Sequence, residues 1–126
     1  MLVELEFQDD ICILRLEGRF VTGADVDYLR ARSEEIKSGN CRKVLMDFRK
    51  VPYIDSTGIA FVVGLYTAIT KNPDGRFAIA GPNRRVREVL ELTRLTTVMS
   101  VFQDVDSALA MLRAEVPQAM RAHDKD

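Results

Sequence analysis

Histidine, cysteine and long apolar runs are all scarce in this chain of 126 residues. The single histidine, His123, falls in a polar terminal stretch. A Ser-His-Asp arrangement would need it beside Ser56, and the Gly-x-Ser-x-Gly elbow is absent. No group of side chains has metal-ligand spacing, and no Gly-rich phosphate loop follows a strand. The chain therefore reads as a protein that is no enzyme and carries neither metal nor cofactor. Cys12 and Cys41 are far apart and form no CxxC pair. They read as one small buried hydrophobe and one loop thiol, with a single disulfide as the open alternative.

The longest apolar stretch, Ile59 to Ala68, is too short and too interrupted to span a membrane. Acidic residues Glu4, Glu6, Asp9 and Asp10 occupy the place where a signal peptide needs a basic start. A cytoplasmic location is the resulting expectation. Net charge is -1 with no block of like charges, so the basic footprint of a nucleic-acid binder is missing. What is present, 47% hydrophobic and 29% charged residues, is the make-up of an ordinary globular domain. One domain is expected over residues 1–116, followed by a polar tail over 117–126.

Val3, Leu5 and Phe7 alternate with Glu4 and Glu6, the period of a half-buried strand. After a turn at Gln8-Asp9-Asp10, Ile11 to Leu16 reads as an interior strand that Gly18 ends, so the chain opens with a hairpin. Thr22 and Asp25 resemble a capping box, with Val26, Leu29, Ser33 and Ile36 on one face of the helix that follows. Gly39-Asn40 stops that helix. Val44 to Phe48 is a short strand that Pro52 cannot continue. Asp55-Ser56 offers the cap of a second helix, with Ile59, Val62, Val63, Tyr66 and Ile69 on one face and Phe61 and Leu65 off it. This helix is apolar around most of its circumference and is expected to be well buried.

Asn72-Pro73-Asp74-Gly75 marks a turn into the strand Phe77 to Ala80. Asn83 caps a third helix with Val86, Val89 and Leu90 inward. Val98 to Phe102 makes the last strand. Asp104 or Asp106 starts a fourth helix carrying Val105, Leu109 and Leu112, which Pro117 limits. The order ββαβαβαβα demands crossovers, hence an α/β fold: a mixed, mostly parallel sheet of about five strands, opened by a hairpin and packed with four helices.

The segment Val51-Pro52-Tyr53-Ile54-Asp55-Ser56-Thr57-Gly58-Ile59 leaves a strand and enters a helix. A helix start carries unpaired N–H groups and partial positive charge, so a hydroxyl there can cap it or, once phosphorylated, find donors for its oxygens. Gly58 removes bulk beside the hydroxyls, as if to let another protein approach. Read by residue type alone, Asp55, Ser56 and Thr57 are simply good capping residues.

The run Val44-Leu45-Met46-Asp47-Phe48, then Val51, then Ile54-Asp55-Ser56-Thr57-Gly58-Ile59, resembles the core signature of STAS-domain anti-sigma-factor antagonists, or anti-anti-sigma factors. The similarity extends over roughly residues 3 to 115, including the opening hairpin and Phe77-Ala78-Ile79-Ala80-Gly81-Pro82-Asn83. The resemblance implies a switch cycle. The unphosphorylated antagonist binds an anti-sigma factor that is also a serine kinase, and so frees the sigma factor. The kinase then phosphorylates the serine after the motif's aspartate, here Ser56, with Thr57 as the rival acceptor. A PP2C-type serine phosphatase restores the binding form. Asp55, Ser56, Thr57, Gly58 and Ile59 become the partner-binding segment.

A second feature is Arg84, Arg85, Arg87 and Arg94 around the third helix, which form a solvated face or contact an acidic partner. Two rival readings of the whole chain remain. One is a STAS module controlled in the same way but serving a non-sigma partner. The other is a receiver-like domain using Asp47 at a strand end, which the opening hairpin disfavours.

Overall fold

The computed structural model describes residues 2–21, 23, 26–39 and 41–114, with the side chains of 26–28 set aside. Strands β1 (Leu2–Gln8) and β2 (Ile11–Glu17) form the opening hairpin, with Asp9 at φ 55° in its two-residue turn. Helix α1 (Val26–Ser38), strand β3 (Lys43–Lys50) and helix α2 (Ser56–Thr70) follow. Strand β4 (Arg76–Ala80), helix α3 (Arg84–Leu92), strand β5 (Ser100–Phe102) and helix α4 (Val105–Arg113) complete the order expected from the sequence. The five strands lie side by side in the order β1-β2-β3-β4-β5. β1 is antiparallel to β2, and every other neighbouring pair is parallel.

Strand alternation distributes the core over two layers. Cys12, Leu14, Leu16, Val44, Met46, Phe48, Phe77 and Ile79 point to one face and pack on Leu29 and Ile36 of α1, Val62, Leu65 and Ile69 of α2, and Val86 and Leu90 of α3. Ile11, Ile13, Leu45, Ala78 and Ala80 point to the other, where Ala108, Leu109 and Leu112 of α4 cover them. With both faces covered, β3 and β4 can be apolar at successive positions.

Three expectations need correction. Helix α2 buries Gly58, Val62, Leu65 and Ile69. Leu65 is therefore inside, while Val63 is 37% exposed and Ala60, Gly64 and Thr67 face solvent. Among the described residues the helix is covered on one side only, because α1 and α3 flank it but no third layer lies above. The last strand is shorter than expected: Leu95–Thr97 form a 3-10 turn that buries Leu95 and Met99 and leaves Val98 56% exposed. In α4, Ala108 is buried with Leu109 and Leu112, and Val105 is only half-buried.

Cys12 and Cys41 form a disulfide with their Cα atoms 6.1 Å apart, where two unpaired cysteines were expected. The parallel register, Cys12 opposite Val44, brings the start of β2 beside the chain entering β3. Spacing in sequence carries no trace of that register. The proposed cap residues Thr22 and Asp25, the helix stop at Asn40, and Pro117, His123 and the tail lie outside the described residues.

Candidate functional site

Three loops meet beyond the carboxyl ends of β2, β3 and β4, and backbone hydrogen bonds lace them together. Gly18 N–H donates to Lys50 O at 2.9 Å, Phe20 N–H to Tyr53 O at 2.9 Å, and Asp55 N–H to Phe20 O at 3.1 Å. Gly18, at φ 111°, makes the sharp exit from β2 that only glycine adopts readily. Asn83 joins the third loop: its Nδ2 donates to Pro52 O at 3.2 Å while its Oδ1 accepts from Val86 N–H at 2.8 Å, capping α3. Below the loops, the buried Phe20 ring meets Phe61 edge-on at 5.6 Å.

This lacing fixes the start of α2. Asp55 is the N-cap, and its Oδ1 accepts from Thr57 N–H at 2.9 Å and Gly58 N–H at 3.2 Å. Ser56, the first helical residue, is exposed, and its hydroxyl makes no hydrogen bond among the described residues. Asp55, Thr57 and Ile59 are half-buried. The capping role that residue type allowed to both Asp55 and Ser56 therefore belongs to Asp55. It follows that the second and third N–H groups of α2 are already engaged. A phosphate on Ser56 would compete with Asp55 for them, where the sequence suggested waiting donors.

Gly58 also needs correction. It faces inward, and an added Cβ would lie 2.5 Å from Ile54 Cγ1 and 2.7 Å from Phe20 O. The glycine lets α2 settle on the Phe20 loop; it does not clear space for a visitor. Outward, Ser56 continues into Ala60, Val63, Gly64 and Thr67, an exposed strip of small and apolar residues. At Gly64 an added Cβ would meet nothing within 4 Å. The sequence reading missed this strip because it assigned Val63 to the core.

The arginines of the third helix do not form one patch. Arg84 and Arg85 are exposed in the first turn of α3, whereas Arg94 lies beyond its far end. Arg85 instead meets residues remote in sequence. Its guanidinium lies 5.6 Å from the Tyr53 ring centroid, and that of Arg19 lies 5.7 Å from the same centroid.

Asp47, the residue that a receiver-like reading would use, is 4% exposed and gripped by Arg49 through Nε at 3.0 Å and Nη2 at 2.8 Å. Burial pushes its carboxyl upward. The Arg49 hydrogen bonds and the charges of Arg49 and Arg15 outweigh that push, so it sits below its ordinary value. Such a carboxylate holds an ion pair together and is poorly placed to accept a phosphoryl group. Among the described residues, no three His, Cys, Asp or Glu side chains are grouped to hold a metal ion, and no helix is long and apolar enough to cross a membrane.

Among the described residues, a hairpin-led, mostly parallel sheet with three helices on one face, one on the other, and a capped helix start over laced loops defines a small α/β domain. The STAS domain model matches residues 3–108, and the chain belongs to that family. An anti-sigma F factor antagonist from Paenibacillus polymyxa is 24% identical over 111 residues, spanning 87% of this chain and 93% of that protein. An anti-sigma factor antagonist from Mycobacterium paratuberculosis superposes with a TM-score of 0.82 at 16% identity, covering 90% of this chain and 94% of the other. SpoIIAA of Bacillus, in its phosphorylated form, gives 0.70 at 22% identity, covering 89% of this chain and all of that one (100%). Its unphosphorylated form gives 0.69, also at 22%, with 90% and 100% covered. At these identities the structural likenesses speak for the fold.

Proposed function

We propose that this protein is an anti-sigma-factor antagonist switched off by phosphorylation of Ser56. Unphosphorylated, it binds an anti-sigma factor that is also a serine kinase, and frees the sigma factor. The kinase phosphorylates Ser56 and releases the product, which a PP2C-type phosphatase returns to the binding form. Asp55, Ser56, Thr57 and Ile59 belong to the docking surface, and the exposed strip Ala60, Val63 and Gly64 extends it. Gly58 contributes from below by seating the helix. The protein is a substrate of the kinase and catalyses nothing itself. Residues 1–116 form the working domain, with 117–126 as an appended tail.

One observation carries this reading: Asp55 does the capping, which leaves the Ser56 hydroxyl exposed at the mouth of α2. Thr57 is half-buried where Ser56 is exposed, so its hydroxyl is the poorer acceptor. A phosphoserine carries about -1.5 to -2 charges at neutral pH. Beside Asp55 it concentrates negative charge next to the small and apolar strip of α2. Like charges facing each other across an interface cost several kcal/mol, and each ~1.4 kcal/mol is tenfold in affinity.

The proposed location is the cytoplasm, where sigma factors act. There the reducing thiol pool sets how much of the Cys12–Cys41 pair is closed. The test is incubation with the cognate kinase and ATP, followed by mass spectrometry of the modified residue. Phosphate is expected on Ser56 and absent from Ser56→Ala. Equal incorporation into both would sink the assignment. Ser56→Asp is expected to lose kinase binding by roughly tenfold or more while keeping its urea midpoint, since the change is confined to an exposed position.

A further inference from the structure

We propose that Arg19 and Arg85, held against Tyr53, form a clamp that binds carboxylate side chains of the partner protein and docks it beside Ser56. The proposal rests on the switch reading above and adds the chemistry of the partner's contact surface.

The two guanidiniums lie 5.7 and 5.6 Å from one ring centroid. They are thus at most about 11 Å apart, close to the Debye length of ~8–10 Å at moderate salt, and feel each other's charge. Neither has a carboxylate within salt-bridge distance among the described residues, although Arg15, Arg32, Arg42, Arg49 and Arg113 each pair with one. Arg85 also stands in the first turn of α3, where no acidic residue is present and the helix dipole disfavours a cation. Two exposed positive charges gathered without a counter-ion among the described residues, one of them against a dipole, are stabilised by an anion brought from outside.

The supporting geometry is rigid where it needs to be. Phe20 N–H bonds Tyr53 O and Asn83 Nδ2 bonds Pro52 O, so the backbones carrying Arg19, Tyr53 and Arg85 are tied to one another. Both guanidinium carbons lie within cation–π range of the Tyr53 ring, and their N–H forks suit bidentate contacts to carboxylates. Arg19, Pro52, Tyr53 and Arg85 line an open hollow, which suits a surface side chain better than an enclosed small molecule. Tyr53 precedes Ser56 by three residues, and Asp55 N–H is bonded to the carbonyl of Phe20, the residue after Arg19. Partner carboxylates in this hollow would stand next to the switch serine. A phosphate on Ser56 would repel them and also offer the arginines a competing anion.

The experiment measures affinity of the full-length protein for its purified partner kinase at 50 and 500 mM NaCl. It compares wild type, the double variant Arg19→Glu/Arg85→Glu, Ser56→Asp, and a control of equal charge change, Arg42→Glu/Lys71→Glu. Circular dichroism and urea midpoints establish that each is folded. The clamp variant is expected to bind roughly tenfold or more weakly at low salt and to lose most of its salt dependence, while the control stays near wild type. If Ser56→Asp fails to bind but the clamp variant matches wild type at both salts, the clamp is wrong and the switch stands. An equal loss in clamp variant and control would reduce the effect to net charge and also overturn the clamp. If wild type itself does not bind the kinase, or Ser56→Asp binds unchanged, the switch reading fails first.

Discussion

At the scale of single residues, two glycines of one helix do opposite things. Gly58 is required by what lies beneath it, since a methyl group there would press on Ile54 and on the Phe20 carbonyl. Gly64 faces open space and carries only the cost of a glycine inside a helix. Gly58→Ala is therefore expected to destabilise by about 1–3 kcal/mol, the usual penalty of overpacking. Gly64→Ala should stabilise by up to about 1 kcal/mol. Urea unfolding of the two variants checks both signs, and a harmless Gly58→Ala would overturn the packing account. The sequence reading identified Gly58 as special but gave the wrong reason, because its neighbour Phe20 is distant in the chain. Asp55 and Asn83 were legible as caps, since a cap is satisfied within three residues.

At the scale of elements, the sheet face that α4 leaves uncovered carries an ion ladder. Arg15 on β2 reaches Glu6 on β1 at 3.1 Å and Asp47 on β3 at 3.7 Å, and Asp47 is held by Arg49. The Asp47 pKa is lowered in the folded protein, so its pairing stabilises the fold above the unfolded value of about 4. That contribution is lost as pH falls below about 4 and through the lowered folded value. At neutral pH Asp47→Asn should cost about 1–2 kcal/mol, held down because Arg49 is half exposed. The variant should also lose less stability than wild type between pH 4 and pH 2, measured by urea midpoints. Identical acid profiles would remove Asp47 from the account. Element order and most boundaries were readable, since strand alternation and helix caps are local. The buried side of α2 was not: with apolar residues all round, only the positions of α1, α3 and the sheet decide which of them turn inward.

At the scale of the whole molecule, one covalent tie and one set of laced loops bind remote segments. The Cys12–Cys41 bond closes a loop of 29 residues that contains α1. Restricting the unfolded chain in this way is worth about 3–4 kcal/mol on the loop-entropy model. Unfolding in the presence of dithiothreitol should show that loss, Cys41→Ser should reproduce it, and dithiothreitol should then have no further effect. An unchanged midpoint on reduction would contradict the tie. The loops after β2, β3 and β4 likewise bring Arg19, Tyr53 and Arg85 together from three parts of the chain.

The order of strands and helices, the hairpin at the start, the caps Asp55 and Asn83, and the motif that names the family were set by the sequence itself. Each depends on residues within a few positions of one another or on a contiguous pattern. Four features were decided only when the sheet assembled: the inward turn of Gly58 and Leu65, the exposure of Val63, the union of Cys12 with Cys41, and the meeting of two arginines on Tyr53. Those depend on strand register and on which layers lie above and below. Pairing between distant segments determines them, and local preference acting over a turn of helix or a few strand residues does not reach that far.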